Sequence, residues 1–77
     1  MDLAQVLTNI ARAIVDNPDE VVVEQTVDGD DVELVLTVAE SDTGMVIGRH
    51  GRIAKAIRQV MKAAAGTSGK RVTVEIK

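Results

Sequence analysis

Val46-Ile47-Gly48-Arg49-His50-Gly51-Arg52-Ile53-Ala54-Lys55-Ala56-Ile57-Arg58 sets two glycines around two residues, between a short apolar run and a long helical pattern. Glycine adopts the unusual backbone angles that a sharp helix-to-helix reversal needs. Lacking a Cβ, it also lets the chain come close to the backbone of a ligand. Such a loop delivers free backbone N–H groups from the first turn of the next helix, where the helix dipole is positive. Arg49, His50 and Arg52 surround that point with further donors. The chemistry suits an anion, and a sugar-phosphate strand is the natural one. A Gly-x-x-Gly by itself is weak evidence, since any tight turn could use it. The preceding Val46-Ile47, the helices on both sides and the basic residues in the loop make the combination specific.

Downstream, Arg52 to Ala65 reads as a long helix with Ile53, Ala56, Ile57, Val60, Met61 and Ala64 on its apolar side. Gly66 suits the left-handed position after its end. Arg52, Lys55, Gln59 and Lys62 recur at spacings of three and four, a polar and mostly basic stripe on the opposite side. Thr67-Ser68-Gly69 is a loop, and Arg71 to Ile76 alternates as a final strand. Upstream, Ser41-Asp42-Thr43 offers helix N-caps, and a helical turn through Met45-Val46-Ile47 stops at Gly48.

In the first half, Leu3, Val6, Leu7, Ile10, Ala11 and Ile14 repeat at helical spacing over about four turns. Asn17-Pro18 ends that helix, because the residue before proline is pushed out of the α region. Val21–Val27 and Val32–Ala39 are rich in β-branched residues and read as strands. The Asp28-Gly29-Asp30-Asp31 segment between them is a hairpin signal. Its aspartates lack the spacing and distal glutamate of an EF-hand, so a plain turn is expected. The order is α-β-β-α-α-β, an α+β chain whose three-stranded sheet carries its helices on one face. No repeat, linker or low-complexity segment interrupts it, and residues 1–77 are expected to form one domain.

The formal net charge of −3 conceals an asymmetry. Residues 1–42 hold eleven acidic side chains and one basic, Arg12; residues 43–77 hold eight basic and one acidic, Glu75. Separation of this kind points to a charged partner, and the positive half contains the glycine loop. The chain has no cysteine and one histidine, which rules out disulfides, zinc fingers and zinc knuckles. No metal or cofactor is expected, and His50 reads as an exposed contact residue. No stretch approaches the ~20 apolar residues of a membrane span, and Met1-Asp2-Leu3-Ala4-Gln5 is not a secretory signal. A soluble, cytoplasmic protein without a membrane or small-molecule partner is expected. No Ser/His/Asp or Cys/His set and no P-loop pattern is present, so the chain is not expected to be an enzyme.

At the loop the chain resembles the KH family, whose G-x-x-G loop grips the backbone of about four nucleotides. The element order resembles the type II KH arrangement of bacterial proteins. Gly48-Arg49-His50-Gly51-Arg52 followed by Ala54-Lys55-Ala56-Ile57-Arg58 is similar to the signature of the small bacterial KH proteins of the KhpA (YlqC-like) family, and the likeness covers essentially the whole chain. It implies a cytoplasmic protein that binds single-stranded RNA, acting on many transcripts as a post-transcriptional regulator or chaperone. It also implies a homodimer, or a heterodimer with the larger KH protein KhpB (Jag). The residues it assigns to RNA are Val46, Ile47, Gly48, Arg49, His50, Gly51, Arg52 and Lys55. One position departs from the general pattern: Ala54 stands where a large aliphatic residue is common, which makes the groove floor shallower.

The absence of Phe, Tyr and Trp separates this chain from RRM and OB folds, which stack bases on aromatic side chains. A KH groove holds bases against aliphatic side chains, so micromolar or looser binding is expected of one domain. Two alternatives stay open on the residues alone: a KH-fold interaction or dimerisation module with little nucleic-acid binding of its own, and single-stranded DNA as the ligand.

Overall fold

The computed structural model describes residues 2–77; Met1, the first residue of the stretch read for a leader, lies outside them. Helix α1 (Leu3–Ile14) begins at Asp2, whose carboxylate accepts the Gln5 backbone N–H at 3.2 Å, satisfying one of the orphan donors of a helix start. Leu3, Leu7 and Ala11 recur every four residues and form its buried stripe. The helix stops at Val15, which is extended. A 3-10 turn over Pro18–Glu20 then leads into strand β1 (Val22–Asp28).

Strands β1 and β2 (Asp31–Thr37) pair antiparallel, with Asp28 opposite Asp31 at the closed end. Gly29 opens the two-residue loop with φ 61°, the glycine-first pattern of a type II′ hairpin, whose twist matches that of the strands. Strand β3 (Arg71–Ile76) joins the other edge of β2 in parallel, so β2 lies in the middle. Parallel neighbours need a crossover, and here it is built from helices α2 (Thr43–Ile47) and α3 (Arg52–Thr67).

Side chains alternate across a strand, so the register divides the sheet into two faces. Val23, Val32, Leu34, Leu36, Val72, Val74 and Ile76 fall on one face, where they meet Leu3, Leu7, Ala11, Ile57, Met61 and Ala65 of the helices in one core. Glu24, Thr26, Glu33, Thr73 and Glu75 fall on the other face and are exposed. This is the expected α+β, type II KH-like architecture, with the helices on one face of a three-stranded sheet. Among the described residues, no helix is long and apolar enough to cross a membrane.

Three local expectations are corrected. The buried row of α3 is Ala54, Ile57, Met61 and Ala65, while Ile53, Ala56 and Val60 face outward. Both rows have helical spacing, and docking against the sheet and α1 selects between them. Gly66 continues the helix. The left-handed residue is Gly69 at φ 70°; its N–H bonds to Gly66 O at 3.2 Å and the Lys70 N–H to Ala65 O at 3.0 Å, which is a Schellman cap. Asp42 makes no side-chain cap bond to α2. Its carboxylate is buried, 1% exposed, and Oδ2 accepts both the Asn17 backbone N–H at 2.9 Å and Asn17 Nδ2 at 3.0 Å.

The Asp42 carboxylate thus ties the segment after α1 to the segment before α2. Removing it strands a backbone donor and an amide in a part-buried site, which costs about 1–3 kcal/mol. Asp42→Ala should lower the unfolding free energy by that amount, read as a lower denaturant midpoint at an unchanged slope, and Asp42→Asn, which retains an acceptor, should lose less. An Asp42→Ala midpoint equal to wild type in a urea titration would show the tie to be dispensable.

Candidate nucleic-acid interface

The glycine loop is held from below by Val46, which is fully buried in the core. Helix α2 ends at Gly48, whose N–H bonds to Gly44 O at 2.8 Å. Gly48 has φ 74° and ψ 175°, a region essentially restricted to glycine. A Cβ there would collide with Ile53 Cγ1 and stand 2.8 Å from Ile53 Cβ and 3.0 Å from its backbone nitrogen. Gly48 is therefore demanded twice, by its backbone angles and by the side chain lodged against it.

Two turn bonds follow, Gly51 N–H to Gly48 O at 3.2 Å and Arg52 N–H to Arg49 O. His50 (φ 57°, ψ 25°) and Gly51 (φ 71°, ψ 16°) are both left-handed, the central pair of a type I′ turn. Histidine is among the non-glycine residues that tolerate this region best. Gly51 is also the N-cap of α3 and, with no side chain, makes no side-chain cap bond to the first turn, whose first N–H, that of Arg52, is met by Arg49 O. Nothing lies within 4 Å of where a Cβ on Gly51 would stand. Space is therefore open at the Gly51 α-carbon, and the positive end of the α3 dipole lies at the loop.

Arg49, His50, Arg52 and Lys55 are exposed around this opening, Ile47 is exposed on α2, and Gly48 and Gly51 are half-buried. Val46 is the exception among the residues assigned to RNA. At 0% exposure its side chain has no surface for a base, because α2 must bury one residue per turn to stay on the core and Val46 is that residue. Ala54 is likewise buried, and Met45, Ile47 and Ile53 are the exposed aliphatic side chains beside the loop.

Helix α3 connects the loop to the sheet edge. Arg58 Nε donates to Val74 O of β3 at 3.2 Å. The N–H groups of Arg71 and Lys77 bond to Asp30 O and Leu36 O, so the alternate residues Val72, Val74 and Ile76 turn their main-chain groups away from β2. Lys55 and Lys62, three before and four after Arg58, share its side of the helix. The basic stripe therefore borders the outer edge of β3. Sequence spacing alone could have joined Arg58 to that row; its bond to a strand 16 residues away could not be read locally.

Among the described residues Arg49, Arg52, Lys55 and Lys62 have no carboxylate partner, whereas Lys70 pairs with Asp30 at 3.5 Å and Arg71 with Asp31 at 2.7 Å. Arg71 has its pKa raised, first by its hydrogen bond to Asp31 and then by that carboxylate's charge. The cations beside the loop and along α3 are thus among those left without a carboxylate partner.

Residues 4–76 match the family model described as KhpA/KhpB, KH domain. The chain is 53% identical over 74 residues to the RNA-binding protein KhpA of Clostridium acetobutylicum, covering 96% of this chain and 99% of that one. It is 47% identical to the RNA-binding protein KhpA of Caldanaerobacter subterraneus, with the same coverage. Among solved structures it resembles Era in complex with MgGDPNP and nucleotides 1506–1542 of 16S ribosomal RNA, with a TM-score of 0.72 at 19% identity. That likeness, which covers 96% of this chain and 28% of Era, is one of fold. The chain belongs to the KhpA/KhpB KH-domain family.

Proposed function

We propose that the chain, acting as one domain over residues 1–77, binds single-stranded RNA by clamping its sugar-phosphate backbone at Gly48–Gly51. The observation that carries this is the open, uncapped start of α3 at Gly51, ringed by Arg49, His50, Arg52 and Lys55 with no carboxylate among them. The backbone N–H groups and cations receive phosphates, and Ile47 offers aliphatic surface to bases. Gly51 leaves room for the strand to approach. Relatives named RNA-binding protein KhpA support RNA as the ligand; a cytoplasmic, non-catalytic role as regulator or chaperone is part of the same proposal. Without aromatic stacking, worth ~1–3 kcal/mol per base, one domain binds in the micromolar range or above, no tighter than about −8 kcal/mol.

A second feature favours self-association alongside RNA binding. Ile53 and Val60, 39% and 51% exposed, lie with Ala56 along the flank of α3 away from the basic stripe. A homodimer, or pairing with a KhpB (Jag)-like KH protein, would cover them, and two linked sites would raise avidity. Val60→Asp should shift the chain to monomer in sedimentation equilibrium while its melting curve is retained; a wild type that is already monomeric at high micromolar concentration would refute this.

Arg49→Asp combined with His50→Asp places negative charge against the phosphates, at positions whose side chains are exposed. Aspartate also tolerates the left-handed angles at residue 50. Anisotropy titration at two salt concentrations should show salt-sensitive wild-type binding and at least a roughly thirtyfold loss in the folded variant. DNA of the same sequence tests whether the sugar matters. Undiminished RNA binding by the variant would dismiss the loop as the clamp, and wild type with no affinity for RNA would leave an interaction module.

The two glycines should separate in their effects. Gly48→Ala forces Ile53 to move and strains the backbone by roughly 1–3 kcal/mol, so it should lower stability. Gly51→Ala, with open space around it, should cost less stability and lose more RNA affinity. Equal stability losses for the two variants would contradict this assignment.

A further inference from the structure

The path open to a strand clamped at the loop has a definite far end. Helix α3 rises about 1.5 Å per residue, so Lys62 stands about 15 Å beyond Arg52, and Thr67 about 22 Å beyond it. Four residues after Thr67, Arg71 enters β3 opposite Asp31. The β1–β2 hairpin therefore lies at the end of the basic stripe farthest from the glycine loop. Two more cations wait there, Lys70 and Arg71, and each is held by a hairpin carboxylate, Asp30 and Asp31. Asp28 adds a third carboxylate at the closed end, so the hairpin itself carries three negative charges against the two positive ones paired with it.

We propose that Asp28, Asp30 and Asp31 form an electrostatic stop that ends the RNA path, so that the chain selects short single-stranded segments lying between the glycine loop and Lys62. This rests on the RNA-binding role proposed above and assigns the hairpin to it. Exposed ion pairs are individually weak, and phosphate could compete for Lys70 and Arg71. A phosphate that did so would sit against three carboxylates, one of them without a cation to offset it. The range of the effect is limited by salt. With a screening length of about 8 Å at physiological ionic strength, the hairpin acts on phosphates arriving at its own end and is scarcely felt at the loop. The stop therefore discriminates by length: it opposes long strands and ignores short ones.

The test compares four-nucleotide and twelve-nucleotide single-stranded RNA by fluorescence anisotropy over a salt series. In Asp28→Asn/Asp30→Asn/Asp31→Asn, which leaves the glycine of the turn in place, the twelve-mer should bind about tenfold tighter. Its salt slope should steepen by about 1.4, two added phosphate contacts at ~0.7 each. The four-mer should stay within about twofold of wild type. Adding Lys70→Gln/Arg71→Gln should cancel the gain, while that pair alone should leave wild-type binding of the twelve-mer unchanged. Glu24→Gln/Glu33→Gln/Glu75→Gln makes the same charge change on the open sheet face and should give no gain. An equal gain for both strands, an equal gain from the sheet variant, or no gain with the twelve-mer would overturn the stop while leaving the clamp standing. Wild type that binds neither strand would overturn the clamp and the stop together.

Discussion

The Ile53 side chain lies against the α-carbon of Gly48, and this contact decides how the chain passes from α2 into α3. With the side chain there, only a residue without a Cβ can end α2, and the extended, positive-φ conformation of Gly48 points the chain into the two left-handed residues that follow. Those residues lead into α3 with no side-chain cap on its first turn and with open space at Gly51. The reversal also completes the crossover that lets β3 lie parallel to β2. Backbone conformations of this kind cost of order 1–3 kcal/mol each and persist where the surroundings over-determine them. Here Val46 in the core and the Asp42–Asn17 tie anchor the segment on the approach to the loop.

The fold gives the charge division of the sequence a definite arrangement in space. An acidic chain can still attract a polyanion if its cations are concentrated and unopposed, since fields beyond about 8 Å are screened at physiological salt. The fold achieves this by spending its ion pairs at the hairpin, where Lys70 and Arg71 are engaged, and by keeping Glu24, Glu33 and Glu75 on the far face of the sheet. The loop and the outer side of α3 keep their positive charge.

Helix α3 has three faces with separate roles. Ala54, Ile57, Met61 and Ala65 hold it to the core; Lys55, Arg58 and Lys62 border the edge of β3, where Arg58 caps an outward carbonyl; Ile53, Ala56 and Val60 remain uncovered. The small residues of the first row let the helix sit close to the sheet.

The order of elements, the hairpin, the glycine loop and the segregation of charge were legible in the residues, because each rests on local rules: periodicity, turn chemistry and the angles open to glycine. What was not legible depends on residues distant in the chain. Two rows of α3 have equally good helical spacing, and only packing chose the one beginning at Ala54. Gly66 and Gly69 could each have ended that helix, and the cap formed at Gly69. Asp42 looks like a helix cap until Asn17, 25 residues earlier, is brought beside it; Arg58 looks solvated until Val74, 16 residues later, offers a carbonyl; Arg71 looks free until Asp31, 40 residues earlier, pairs with it. Val46 looks like part of the site, and the core claims it. A local pattern specifies what a segment can form, but the partner of each side chain is settled only when the sheet and helices close on one another, because burial and pairing are properties of what lies opposite in space.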